Sequence, residues 1–278
     1  MKFNERYAVH PEDFKNYDTD RIRKEFLVEE VFAKDEICLT YSLYDRYIVG
    51  GAYPVSRKLA LDSFDSLKAD DFLARREMGI INVGGKGTVN ADGQTYELGY
   101  KEALYLGKET GHVVFGSADA KSPAKFYLNS APAHMKFPNK LVTLADAEVV
   151  ELGSLESSNA RKINKLLVNS IVETCQLQMG MTELQAGSVW NTMPVHTHNR
   201  RMEAYFYFEV PDDQAVCHFM GQPQETRHIW MKNEQAVLSP SWSLHSAAGT
   251  SNYIFVWGMA GENLDYGDMD VTQPTELR

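Results

Sequence analysis

From about Phe32 onward the chain is cut into short runs rich in Val, Ile, Tyr and Phe, separated by Gly, Pro, Asn and Asp. That pattern leaves room for little besides antiparallel β structure. Tyr47-Ile48-Val49, Ile80 to Val83, Val113-Val114-Phe115, Ala204 to Phe208 and Tyr253 to Trp257 are such runs. Many short strands at this spacing read as a sandwich or barrel. The turns between them are explicit: Asp92-Gly93 signals a hairpin, and Pro211-Asp212-Asp213 turns the chain directly after an aromatic strand. Helix character is confined to Thr19 to Glu30, where Asp18 or Asp20 can cap and Ile22 and Phe26 fall on one face.

With 278 residues the chain can hold two domains of ordinary size. The stretch from Ala131 to Thr143, with Pro132 and Pro138, has no clear periodicity and reads as a connector, which places a boundary near residue 140 and gives domains 1–140 and 141–278. A weak internal repeat supports the division. Arg75-Arg76-Glu77 precedes an apolar run as Arg200-Arg201-Met202-Glu203 does, and Glu102 to Gly107 resembles Gln235 to Pro240. His112 then follows Gly107 at the interval that separates His245 from Pro240. The first half thus holds Glu77 and His112 at positions comparable to Glu203 and His245, but it has no H-x-H.

The formal charge is −10 and no long basic run is present, so a surface that tracks nucleic-acid phosphates is not expected. Cys38, Cys175 and Cys217 lie far apart and form no C-x-x-C, which argues against a disulfide framework or a thiolate metal site. No segment approaches the roughly 20 apolar residues of a membrane span, and the charged N-terminus lacks the core of a secretory signal. The expectation is a soluble cytoplasmic protein acting on a small molecule.

Five of the eight histidines (His196, His198, His218, His228 and His245) fall within one stretch of the second half. Residues i and i+2 of a strand face the same way, so His196 and His198 can converge on one ion. Glu203 opens the aromatic strand that follows, where a hairpin partner could reach the same ion. His245 follows the turn Ser239-Pro240-Ser241, which could hold it in place as a fourth ligand. Three imidazoles and a carboxylate suit zinc, and also ferrous iron or manganese. The alternative is a pair of edge-strand histidines with Glu203 paired to Arg200 or Arg201. His218 and His228 flank the loop from Met220 to Arg227, as pocket residues or as ordinary hydrogen-bonded histidines.

The spacing H-x-H-x4-E, with Pro240 and His245 further on, resembles the two metal motifs of the cupin superfamily. Val210-Pro211 and Trp242 stand where those motifs usually carry glycine, which alters turns but removes no ligand. A closer resemblance covers essentially the whole chain. Cys175 to Gly180, Trp190 to Pro194, Arg201 to Phe208, Met220 to His228, Asn233 to Val237, Glu25 to Glu29 and Ala131 to His134 are similar to the 5-keto-4-deoxyuronate isomerase (4-deoxy-L-threo-5-hexosulose-uronate ketol-isomerase) family. The resemblance implies an all-β bicupin, that is, two tandem cupin-type antiparallel β-barrels with few short helices. It also implies one zinc per chain, in the C-terminal barrel, held by His196, His198, Glu203 and His245.

The implied reaction converts 5-dehydro-4-deoxy-D-glucuronate to 3-deoxy-D-glycero-2,5-hexodiulosonate in pectin breakdown, performed by a cytosolic homohexamer. Glu225, His228 and Tyr253 are candidates for the base. Arg227, with Arg200 second, is expected to grip the substrate carboxylate. Two other readings use the same features: an iron-dependent cupin dioxygenase, and a non-catalytic sugar-binding cupin.

Overall fold

The computed structural model describes all 278 residues, which divide into two compact units. The first comprises Met1–Glu5, Glu30–Glu148 and Leu166–Met179; the second comprises Arg6–Glu29, Val149–Lys165 and Gly180–Arg278. The partition is therefore not one cut in the sequence. A cut near residue 140 would pass through the strand Lys140–Val142, which pairs antiparallel with Ala103–Leu106. The 131–143 stretch is thus not a bare connector: Pro132 is the last residue of the strand Phe126–Pro132, and Pro138 precedes the short edge strand Lys140–Val142.

In the first unit a seven-stranded sheet has the order Lys2–Arg6, Ile37–Ser42, Ile48–Ala52, Phe126–Pro132, Arg76–Asn82, Ala103–Leu106, Lys140–Val142. A four-stranded sheet runs Leu59–Ala60, Val113–Ser117, Gly87–Ala91, Gln94–Leu98. One apolar core joins them, with Leu39, Ile48, Met78, Ile80 and Phe126 from the larger sheet and Leu59, Val89, Leu98 and Phe115 from the smaller. The Asp92-Gly93 hairpin is present, and both turn residues have positive φ, 50° and 86°, as a twist-matched two-residue turn requires.

The second unit repeats this order. Its larger sheet runs Glu148–Leu152, Arg161–Leu167, Gln178–Leu184, Ile254–Gly261, Arg201–Phe208, Gln235–Ser239, Leu27–Val28; its smaller one runs Trp190–Asn191, Leu244–Gly249, Val216–Gln222, Glu225–Met231. A helix over Thr19–Phe26 is capped by Asp18, whose side chain accepts from the Arg21 N–H at 2.8 Å, and it buries Ile22 and Phe26. In both units the layers are open sheets rather than one closed ring of strands, which is the cupin-type architecture in its sandwich form.

The strand register corrects one sequence correspondence. Met78 pairs with Leu106 in the first unit, and Glu203 pairs with Ser239 in the second. Aligning Leu106 with Ser239, as the repeat does, puts Met78 in the place of Glu203. Glu77 is one residue out of step, and a one-residue slip turns a side chain to the opposite face of the sheet. There the buried Glu77 carboxylate accepts backbone N–H bonds from Cys175, Gln176 and Leu177, each at 2.8 Å, and the Tyr105 hydroxyl at 2.7 Å. His112 is exposed, in a turn held by Asp92.

Candidate metal centre

His196 lies in the short strand Val195–Thr197, which pairs with Asp270–Thr272, and His198 follows just beyond. The i, i+2 relation brings the two rings to 5.5 Å between centroids. Glu203 is not carried by a hairpin partner of that strand, contrary to the sequence expectation. It lies on Arg201–Phe208, between Ile254–Gly261 and Gln235–Ser239. A tight turn makes the approach instead: the Arg201 N–H donates to the His198 carbonyl at 3.0 Å, and His198 Nδ1 donates to the Arg201 carbonyl at 2.7 Å. His245 is the second residue of Leu244–Gly249 and follows a turn in which the Ser243 N–H donates to the Pro240 carbonyl at 2.9 Å.

The four side chains converge. Glu203 Oε2 lies 3.0 Å from His198 Nε2 and 2.9 Å from His245 Nε2, and His245 Nε2 lies 3.0 Å from His196 Nε2. All four donor atoms lie within 4.8 Å of one another. Atoms bound at about 2.1 Å to one ion sit roughly 3 to 4 Å apart, so the group could hold a metal ion with small adjustment. The donor chemistry agrees. Because the His198 Nδ1 proton is committed to a carbonyl, the neutral ring offers its Nε2 lone pair to the cluster. Burial, reinforced by His245, pushes the His196 imidazole down to about 3, so it is neutral there. Burial opposes ionisation of Glu203, yet His245 and His198 overcome it and hold the carboxyl below its ordinary range. His198 is raised despite its burial, by the hydrogen bond and charge of Glu203.

A cavity of about 240 Å³ opens onto this cluster. Its wall is the inward face of the larger sheet, read at every second residue: Arg161, Ile163 and Lys165; Arg201, Glu203 and Tyr205; Phe255, Trp257 and Met259. Tyr205 packs its ring 5.2 Å from that of His245, and its hydroxyl, hydrogen-bonded to Thr192, is kept protonated by burial and then by the Glu203 charge.

Several expected site residues lie elsewhere. Glu225 and Arg227 form an ion pair at 2.7 Å on an outer strand of the smaller sheet, where Arg227 also donates to the Lys15 carbonyl. His228 is exposed on the same strand, because alternation turns it away from the interior. Tyr253 is buried, and its hydroxyl donates to the Ala247 carbonyl at 3.2 Å. Arg200 is held by Asp268 through two bonds of 2.6 Å. None of the five lines the cavity. Buried His218 bonds the Tyr207 hydroxyl at 2.7 Å and does not line the cavity. The residues that sequence reading passed over are Arg161, Lys165, Tyr205 and Tyr266; the signal for the first two is the alternation Arg161, Ile163, Lys165.

Facing antiparallel sheets with three histidines and one glutamate clustered at a cavity define a cupin-type protein with the donor set of a metal centre. The chain belongs to the KduI/IolB family, whose sequence profile matches residues 26–273. It is 62% identical over 277 residues to the 4-deoxy-L-threo-5-hexosulose-uronate ketol-isomerase of Formosa agariphila, covering 100% of this chain and 99% of that protein. To the 4-deoxy-L-threo-5-hexosulose-uronate ketol-isomerase 1 of Bacteroides thetaiotaomicron it is 63% identical over 273 residues, 98% of each. Among solved structures, an IolB-like protein from Salmonella typhimurium LT2 superposes with a TM-score of 0.71 at 14% identity, covering 89% of this chain and 96% of that one. An oxalate decarboxylase from Lactobacillus farciminis shares the fold at a TM-score of 0.53 and 10% identity, covering 78% and 77%.

Proposed function

We propose that the chain is a metal-dependent ketol-isomerase converting 5-dehydro-4-deoxy-D-glucuronate to 3-deoxy-D-glycero-2,5-hexodiulosonate in cytoplasmic uronate breakdown, working as a homohexamer. The observation that carries the reading is the His196, His198, Glu203, His245 cluster opening onto a cavity of sugar-acid size, in a chain whose full-length relatives bear that activity in their names. A divalent metal, zinc by resemblance, with ferrous iron and manganese compatible with the same donors, supplies polarisation of the adjacent carbonyl and hydroxyl oxygens when bound.

The remaining tasks fall to the chain. The reaction removes a proton from the hydroxyl-bearing carbon and delivers one to the aldehyde carbon. Glu203 is occupied as a ligand, so it is not the proton carrier. Tyr205, protonated and packed on His245, is placed to donate a hydrogen bond to a reacting oxygen. Phe255, Trp257 and Met259 form an apolar wall that limits water at the reacting carbons.

Elemental analysis of the purified protein together with an isomerase assay tests the reading. The native chain should carry metal and turn over the uronate. His198→Ala should lose both, with turnover down by more than about 100-fold, since even residues that only support metal ligands are worth 10- to 100-fold. Full turnover in His198→Ala would sink the proposal. In deuterated water the product should carry deuterium in its new CH2OH group; its absence would indicate a hydride shift instead.

A further inference from the structure

We propose that Arg161, with Lys165 beside it, binds the substrate carboxylate and makes the enzyme specific for acids over neutral sugars. This rests on the isomerase reading above. The chain has a net charge of −10, yet the cavity reverses that sign: Arg161, Lys165 and Arg201 line it, against one carboxylate, Glu203, which the histidines already engage. Arg161 is 8% exposed and makes no ion pair; one guanidinium nitrogen donates to the Asn159 carbonyl at 3.0 Å, while its buried Nε has no partner. A buried guanidinium without a counter-charge is costly unless an anion completes it. Four residues along the strand, on the same face, the Lys165 ammonium sits 4.6 Å from the centre of the Tyr266 ring.

Arg201 is engaged differently, with its guanidinium donating to Met259 Sδ and to the Asp268 carbonyl, each at 3.0 Å. The span also fits. The Arg161 and Glu203 strands are three steps apart in the sheet, roughly 14 Å at the backbone, and side chains reaching inward from both shorten that gap. The open-chain substrate separates its carboxylate from its reacting carbons by roughly 6 Å. One end can meet the histidine cluster while the other meets Arg161.

The test compares metal-loaded wild type, Arg161→Ala and Arg161→Lys on two substrates, the uronate and its C6 amide. Wild type should prefer the acid by about 10- to 150-fold in kcat/KM, the worth of a charged hydrogen-bonded contact. Arg161→Ala should lose that factor on the acid, change little on the amide and retain its metal, while Arg161→Lys recovers part of the preference. Equal use of acid and amide by wild type would overturn the proposal without any variant. So would an unchanged acid preference in Arg161→Ala, or in Arg161→Lys should the alanine variant fail to fold. If metal-loaded wild type does not convert the acid at all, the isomerase reading itself has failed.

Discussion

Glu77 and Glu203 are both buried carboxylates near the start of corresponding strands, and their neighbours give them different work. Glu203 meets the imidazoles of His198 and His245, with His196 against His245, and the His198 Nδ1 proton is directed to a backbone carbonyl, which is the arrangement a metal ligand set needs. Glu77 meets only donors: three consecutive backbone N–H groups and a phenol. It therefore staples the 175–177 segment to the sheet of the first unit. Glu77→Ala would leave those donors buried without an acceptor, at about 1–3 kcal/mol for each one water cannot reach, so a loss of at least about 3 kcal/mol is expected. Urea unfolding followed by circular dichroism should show it. The metal content of whatever folds should not change, because Glu77 is no part of the His/Glu cluster. The sequence shows a buried-looking Glu in each half but not the register that separates their faces, since register is set by pairing across strands far apart in the chain.

At the level of strands and turns, the local features were readable and the pocket was not. Asp18 as a cap, Asp92-Gly93 as a hairpin and His196 with His198 on one face all follow from chemistry within a few residues. Arg227 and His228 looked suitable because they lie near the histidines in sequence, but their strand is the outermost of the smaller sheet. Arg161 and Lys165 were missed because what makes them pocket residues is their position three strands from Glu203, a relation no local pattern encodes. Arg200, expected at the substrate, instead pins the Asp268 to Asp270 segment through two bonds of 2.6 Å to Asp268. That segment leads into the strand that pairs with His196, and Met269 within it lines the cavity. Arg200→Ala should therefore weaken metal retention by about 10-fold, in the range for residues that orient ligands, without abolishing turnover at saturating metal. Titration with a competing chelator measures this; unchanged retention would leave Arg200 a surface ion pair of little consequence.

At the scale of the whole chain, the two units share one strand order but not one chemistry. Where the second unit has Glu203 the first has Met78, packed in its apolar core, and its nearest carboxylate, Glu77, faces the other way. His112 is exposed, and no H-x-H precedes the corresponding strand. Moving a carboxylate inward at Met78 would not create a site, because imidazole partners are missing as well. Metal content should accordingly be one ion per chain, not two, when purified protein is saturated and freed of excess metal. His198→Ala should bring that figure close to zero, while His112→Ala should leave it at one. A second tightly held equivalent that persists in His198→Ala would place a metal in the first unit and contradict the register argument.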